Sequence, residues 1–346
     1  MKVHILNPKE IITRPEEVAH ASYAYNQFML DAAADKKRNH VLCSSINEAD
    51  VCLAPISFHG YGRFFEILRR SSIYRNAHCP IVVYSAADAV VPTAIGLYPS
   101  VTRRWRETGL GEAAHYRSLH PNMPVLSFRS EDLVTKDLLV SFVGSVWAHP
   151  VRAEICQLSI RDSIIKEASP DVRPWWERHE QAVSPLINSY RDVLRRSQFV
   201  LCPRGASQSS VRIFEAMQAL AVPIMISNGI ELPTGPDWSE CSIMLRLDQV
   251  KELPAILEHH QSRAVDMGRR AQTAWETYFA PETSFDSMIN WSSQLLSRSS
   301  QARRGVMRGL AVGASFVVPR NLRARLAPRK KKLMEVVRRL RGRGKE

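Results

Sequence analysis

The stretch 197-SQFVLCPRGASQSSVRIFEAMQALAVPIMISNGIELP-233 decides the fold of this chain. It reads as strand, tight loop, helix, strand. Ser197–Cys202 is an apolar run that Pro203 ends, and Gly205 lets the backbone turn sharply after it. Ser207, Ser209 and Ser210 supply hydroxyls and helix-capping chemistry. A helix is predicted over about 209–221, with Val211, Phe214, Met217 and Ala221 at the spacing that buries one face. Val222–Ile226 is the next strand. A strand–loop–helix–strand unit of this kind builds a parallel sheet with helices on its faces.

The loop of this unit suits an anion. Free N–H groups and the dipole at the start of a helix favour a phosphate there. Arg204 and Arg212 flank the point and can each make charge-assisted bonds to a diphosphate. Glu215, one turn on, can accept hydrogen bonds from two neighbouring ribose hydroxyls. Local physics leaves a second reading open, in which Arg212 and Glu215 form a surface pair worth about 0.3–0.5 kcal/mol. The loop holds neither a GxGxxG fingerprint nor a Walker lysine, which disfavours ordinary NAD and ATP sites.

Upstream of this unit the same alternation recurs. Val3–Leu6, Ala49–Ala54 and Pro80–Ser85 are short apolar runs, and 15–33 and 61–71 have helical character. The loops PISFHGYG and SAADAVVP follow two of these strands, where open α/β sheets place ligands. Residues 95–135 are less regular and read as the end of a first domain. A second series starts at Leu138–Val143, with a helix over 150–161, a Pro- and Trp-rich stretch at 168–187 and a helix over 188–196. The expectation is α/β throughout: an N-terminal Rossmann-like domain over 1–137, a second over 138–301, and a tail over 302–346.

Charge separates the tail from the rest. The chain has 346 residues and a net charge of +13. Residues 302–346 hold 15 Lys and Arg against two acids, leaving 32 bases and 32 acids in 1–301. A neutral body argues against nucleic acid as the substrate. In the tail, 309–318 is an apolar run too short to span a bilayer. Downstream, Leu333, Val336, Val337 and Leu340 share one helical face among many basic residues. Such a cationic helix suits an anionic membrane surface, with a solvated tail as the alternative. The six cysteines lie in no zinc-like spacing. MKVHILNPKE begins as a strand and not as a signal peptide, so a cytoplasmic protein at the inner face of the membrane is expected.

The stretches SFVGSVWAHPVRAEI (141–155), YRDVLRRSQFVLCPRG (190–205), SSVRIFEAMQALAVPIMISNGIELP (209–233), DWSECSIML (237–245) and AWETYF (274–279) together resemble the exostosin family of glycosyltransferases, over about residues 138–285. The resemblance implies a GT-B fold, two Rossmann-like domains facing across a cleft. It implies a nucleotide-sugar donor, with a UDP-sugar as first choice, held by the second domain and transferred with inversion. Arg204, Arg212 and Glu215 fall on the family's donor-site motif, and Gly205, Ser207 and Ser210 lie within the same loop. Asn228 and Glu231 lie just past the next strand, and Gly144 and Arg152 belong to the family's F-x-G…R motif. The family often has Gly-Cys or Ala-Cys before the Val-Pro turn. Here Leu220 and Ala221 stand there, which reads as a packing change.

Inverting transfer needs a base for the acceptor hydroxyl and stabilisation of the departing diphosphate. His59, Asp88 and Glu231 are the candidate bases. Arg204 and Arg212 can stabilise the leaving group, so no cofactor and no metal are expected. Trp147, Trp175 and Trp176 are candidates for stacking on acceptor sugar. The expected acceptor is a glycan or lipid-linked saccharide in surface polysaccharide synthesis. Two alternatives are a GT-B transferase with a small soluble acceptor and a non-catalytic nucleotide-sugar or glycan-binding protein.

Overall fold

A computed structural model describes residues 1–12, 15–56, 61–86, 94–116, 135–168 and 180–306. The first sheet has six parallel strands: β1 (Lys2–Ile5), β2 (Val41–Leu42), β3 (Val51–Ile56), β4 (Ile81–Ser85), β5 (Gly96–Tyr98) and β6 (Gly111–Ala113), in the order β2-β1-β3-β4-β5-β6. Its helices are α1 (Pro15–Ala34), α2 (Tyr61–Arg70), α3 (Ser72–Asn76) and α4 (Arg103–Glu107). The second sheet has five parallel strands: β7 (Leu138–Gly144), β8 (Ser163–Glu167), β9 (Ser197–Pro203), β10 (Val222–Ile226) and β11 (Ile243–Leu245), in the order β11-β10-β9-β7-β8. Its helices are α5 (Pro150–Cys156), α6 (Glu180–Arg196), α7 (Arg212–Gln218), α8 (Trp238–Cys241), α9 (Leu253–His260) and α10 (Ala264–Tyr278). Two Rossmann-like α/β sheets, the GT-B layout, are therefore present as expected.

Residues 95–135 are more regular than their sequence suggests. Two three-residue strands, β5 and β6, extend the first sheet, with α4 between them. Both strands begin with glycine, which hides them from propensity. Gly96 is required by contact: a Cβ there would stand 2.6 Å from the Val83 carbonyl oxygen. The helix expected over 150–161 stops at Cys156 and gives way to β8. The helix expected over 188–196 starts earlier, at Glu180.

A last helix, α11 (Pro281–Val306), follows the second sheet in the chain but packs against α1, β5 and β6 of the first. Buried between the two sheets' elements, one apolar cluster joins Phe28, Tyr84 and Leu97 to Phe214, Phe279 and Trp291. Polar groups stitch the same contact: the Ser284 hydroxyl donates to Asp31 at 3.1 Å and lies 3.2 Å from His115 Nε2. All six cysteines are free. Among the described residues no helix is long and apolar enough to cross a membrane.

The helix α7 is shorter than its sequence pattern. It runs for seven residues behind Val211, an N-cap with no side-chain hydrogen bond. Val211 is exposed and not on the buried face, which Ile213, Phe214, Ala216 and Met217 form instead. At the other end Leu220 adopts φ +53°, the left-handed conformation usually reserved for glycine. Its N–H bonds Met217 O, and the N–H of Ala221 bonds Ala216 O. This is a Schellman termination with leucine in the glycine position. At Leu220, therefore, backbone conformation, and not packing, is the stake.

Candidate functional site

In the second sheet β7 lies between β9 and β8, all parallel, so the order of successive strands reverses between β7 and β9. Loops leaving the C-terminal ends of these two neighbours therefore sit side by side at the topological switch point, where such sheets bind ligands. They are 145–149 after β7 and 204–211 after β9.

Arg152 knits the two loops together. From α5 its Nε donates to Arg204 O at 2.9 Å, its Nη1 to Ser145 O at 3.1 Å and its Nη2 to Pro203 O at 3.1 Å. A guanidinium has five N–H donors, and here three of them hold backbone carbonyls. Gly205 makes room for this side chain: a Cβ there would lie 3.2 Å from Arg152 Nη2. Both residues shape the loop.

Arg204 is different. It is half-buried, and its guanidinium makes only two long bonds, to Gly205 O and Ala206 O, each 3.4 Å. Among the described residues no carboxylate pairs with it. Burial lowers its pKa. Burial, with the Arg204 and Arg152 charges beside it, lowers the His149 imidazole to about 4. His149 Nδ1 accepts from the Val151 N–H at 3.2 Å, which leaves the Nε2 side carrying the proton in the neutral ring. Arg204 is therefore a cation, beside Arg152 and His149, that no carboxylate among the described residues pairs with.

Arg212 and Glu215 lie beside it on α7. Arg212 Nη2 donates to Val143 O at 2.9 Å, and its guanidinium lies over the Phe142 ring at 5.0 Å. Gly144 allows this, because a Cβ there would come within 2.9 Å of Arg212 Nη2. The two side chains meet through Tyr190 of α6 and not as a direct surface pair. Tyr190 donates its hydroxyl proton to Glu215 Oε2 at 2.7 Å and accepts from Arg212 Nε at 3.2 Å. Burial raises the Glu215 carboxyl, and the Tyr190 bond and Arg212 charge pull it part of the way back. Burial likewise holds the Tyr190 phenol well above its usual value.

The remaining candidates are placed as follows. Ser207 lies 3.2 Å from the Tyr116 hydroxyl, which lies 2.5 Å from Ser100, so the loop after β9 touches the first half of the chain. Ser210 Oγ accepts from the Arg212 N–H. Asn228 uses its carbonyl oxygen to hold the Leu247 N–H at 2.9 Å, beyond β11. Glu231 is taken up by α4: its carboxylate oxygens meet Arg103 Nε at 3.4 Å and Arg106 Nη1 at 3.1 Å. Trp147 is exposed on the loop after β7. His59, Asp88, Trp175, Trp176 and the tail from 307 onward lie outside the described residues. Among the described residues no group of three or more His, Cys, Asp or Glu side chains is placed to hold a metal ion.

Sequence reasoning missed Tyr190, His149 and Phe142 as members of this site. Each lies within a quoted motif, but only the fold shows which neighbour it touches.

The second sheet thus carries Arg204, Arg152 and His149 at its switch point, with a tyrosine-linked Arg–Glu pair next to them. Residues 97–260, a little under half of the chain, match the model of the Exostosin GT47 domain. The matched segment begins at β5, upstream of the sequence motifs, and takes in all of the second sheet. Exostosin-1a of Danio rerio is 33% identical over 114 residues, which make up 30% of this chain and 16% of that protein. Exostosin-1 of Mus musculus is 31% identical over 114 residues, 30% of this chain and 15% of its own. The chain thus spans a small part of the length of the curated relatives it matches. Among solved structures, Anabaena Alr3699/HepE in complex with UDP aligns over 87% of this chain and 100% of its own, at 10% identity and a TM-score of 0.40. WaaG, a glycosyltransferase involved in lipopolysaccharide biosynthesis, aligns over 83% and 99%, at 9% identity and a TM-score of 0.37.

Proposed function

We propose that this chain transfers a sugar from a nucleotide-sugar donor, a UDP-sugar first, to a saccharide or lipid-linked acceptor, with inversion. The observation that carries the reading is Arg204. It is a half-buried guanidinium without an acidic partner among the described residues, beside His149 and the Arg152-knit loops, inside a matched glycosyltransferase domain. A desolvated cation without a counter-ion is costly unless an anion arrives to pair with it. A diphosphate supplies that charge, and Glu215 then takes the ribose hydroxyls.

In the proposed reaction the acceptor hydroxyl oxygen attacks the anomeric carbon as the bond from that carbon to the phosphate oxygen breaks. The electron pair leaves on the diphosphate, whose charge Arg204 and Arg212 take up without a metal. The hydroxyl proton passes to a base on the first half of the chain. His59 and Asp88, which follow β3 and β4 in sequence, are carried forward for this role. Glu231 is better matched to holding α4 against the loop, since arginines meet both of its oxygens.

Isothermal titration of UDP, GDP and CMP tests the donor site. Arg204→Ala is expected to weaken nucleotide binding by about tenfold or more, since bonds to charged groups contribute about 1.5–3 kcal/mol. Unchanged affinity in both Arg204→Ala and Glu215→Ala sinks the assignment. We also propose that the basic tail holds the enzyme at the inner face of the membrane. Sedimentation with anionic liposomes should weaken with salt and on deletion of 302–346, and binding that survives the deletion overturns this.

A further inference from the structure

We propose that Tyr190 is a positioning residue of the nucleotide site, its hydroxyl holding Glu215 and Arg212 in the arrangement that receives the ribose and diphosphate. This rests on the donor-site reading given above. Tyr190 lies on α6, in the element before β9, and its hydroxyl oxygen reaches two side chains of α7. That atom does two jobs at once. It donates to Glu215 Oε2 at 2.7 Å and accepts from Arg212 Nε at 3.2 Å. The ring also lies under the Arg212 guanidinium, 6.0 Å from centroid to Cζ.

The geometry leaves each partner its working atoms. Arg212 spends Nε on Tyr190 and Nη2 on Val143 O, and Nη1 has no hydrogen bond to a described residue. Glu215 receives Tyr190 on Oε2, while Oε1 accepts no hydrogen bond from a described residue. Without the phenol the two residues have no common atom. Glu215, three positions after Arg212, would then be free to pair with it directly and withdraw both from the nucleotide.

The bond also sets the protonation of Glu215. A carboxylate that accepts a hydrogen bond is stabilised as the anion. Tyr190 and the Arg212 charge are what oppose the effect of burial on this carboxyl. The other titratable group facing the set is the Cys202 thiol of β9, which burial keeps neutral. Removing the hydroxyl should therefore raise the Glu215 pKa. Nucleotide binding, if it needs the carboxylate, should then begin to fail at a higher pH.

The test is the pH dependence of nucleotide affinity, with UDP, GDP and CMP as probes. Tyr190→Phe is expected to weaken binding about tenfold at neutral pH and to move the acid limb of the affinity profile upward by about one unit. 3,5-Difluorotyrosine in place of Tyr190 keeps the shape and donates more strongly, so it should move the limb downward. A packing role alone would lower the melting temperature and leave the limb where it is. If the limb stays put in the fluorinated protein, or in Tyr190→Phe with affinity unchanged, the proposal is overturned. Glu215→Gln separates the two levels. If it weakens nucleotide binding while Tyr190→Phe does not, Tyr190 has no positioning role and the donor site stands. If Glu215→Gln binds as the wild type does, the donor-site reading fails and takes the Tyr190 role with it.

Discussion

Two groups of arginines in this fold have opposite company. Arg103 and Arg106 of α4 and Arg298 of α11 meet the carboxylates of Glu112 and Glu231. Arg152 of α5 and Arg204 of the loop after β9 meet backbone carbonyls, and Arg212 of α7 meets a carbonyl and a phenol. The first group is paired with carboxylates, three arginines to two acids, and joins β6, α4 and α11 to the loop of Glu231. In the second, Arg204 meets no carboxylate among the described residues and Arg212 reaches Glu215 only through Tyr190, although the fold spends several hydrogen bonds on holding them in place. Charge that is satisfied internally builds structure, and charge that is held but not satisfied waits for a ligand. The two groups should therefore respond to mutation in different currencies, one in stability and the other in binding.

The largest effect is expected at Glu112. Its side chain is fully buried at β6 and is paired with Arg106 at 3.0 Å and with Arg298, and one oxygen also accepts the Ala113 N–H. Glu112→Gln removes the charge and leaves two arginines facing each other. Breaking a buried pair from one side costs about 3–5 kcal/mol. Urea unfolding should show a loss of that order, with nucleotide affinity of the folded fraction unchanged. Arg204→Ala should show the reverse, a small change in unfolding and a large one in affinity. A loss below about 1 kcal/mol for Glu112→Gln would mean that the first group is no more structural than an ordinary surface pair.

How far the sequence foretold this contrast depends on which atoms carry it. Strands such as Val222–Ile226 are apolar runs, here followed by Ser227, Asn228 and Gly229, and their pattern survives into the fold unchanged. β5 and β6 do not announce themselves, because three residues starting with glycine hold no periodicity, and the contacts with Val83 and Tyr98 that require Gly96 appear only in the fold. In the site, Arg204, Arg212 and Glu215 are legible because they sit on one motif within a dozen residues. Tyr190 lies 22 residues before Arg212, on another helix, and its role exists only once α6 and α7 are packed. The same holds for Glu231, whose partners Arg103 and Arg106 come from the other sheet, more than 120 positions away. Leu220 is a third kind of case. Its departure from the family's Gly or Ala is plain in the sequence, but its meaning is a backbone angle that no pattern of side chains encodes.

The smallest effect, and the one that tests the charge deficit most directly, is expected at His149. Its pKa falls from 6.5 to about 4 through burial and the Arg204 and Arg152 charges. A histidine whose folded pKa is depressed binds its proton more readily in the unfolded chain. Stability linked to it is therefore fully present above the unfolded pKa of 6.5 and is lost as pH falls toward 4. His149 also caps α5 through Nδ1, so the variant must keep that bond, and asparagine is among the best caps. His149→Asn should match the wild type near pH 7.5 and lose less stability on acidification, giving a flatter curve between pH 6.5 and 4. Saturating UDP or inorganic pyrophosphate should flatten the wild-type curve as well, because the anion brings His149 the counter-ion that the fold withholds. It should leave the variant's curve nearly unchanged in slope. Identical slopes for wild type and variant, with and without the anion, would show that the corner around Arg204 does not hold the charge deficit on which the comparison with the Glu112 group depends.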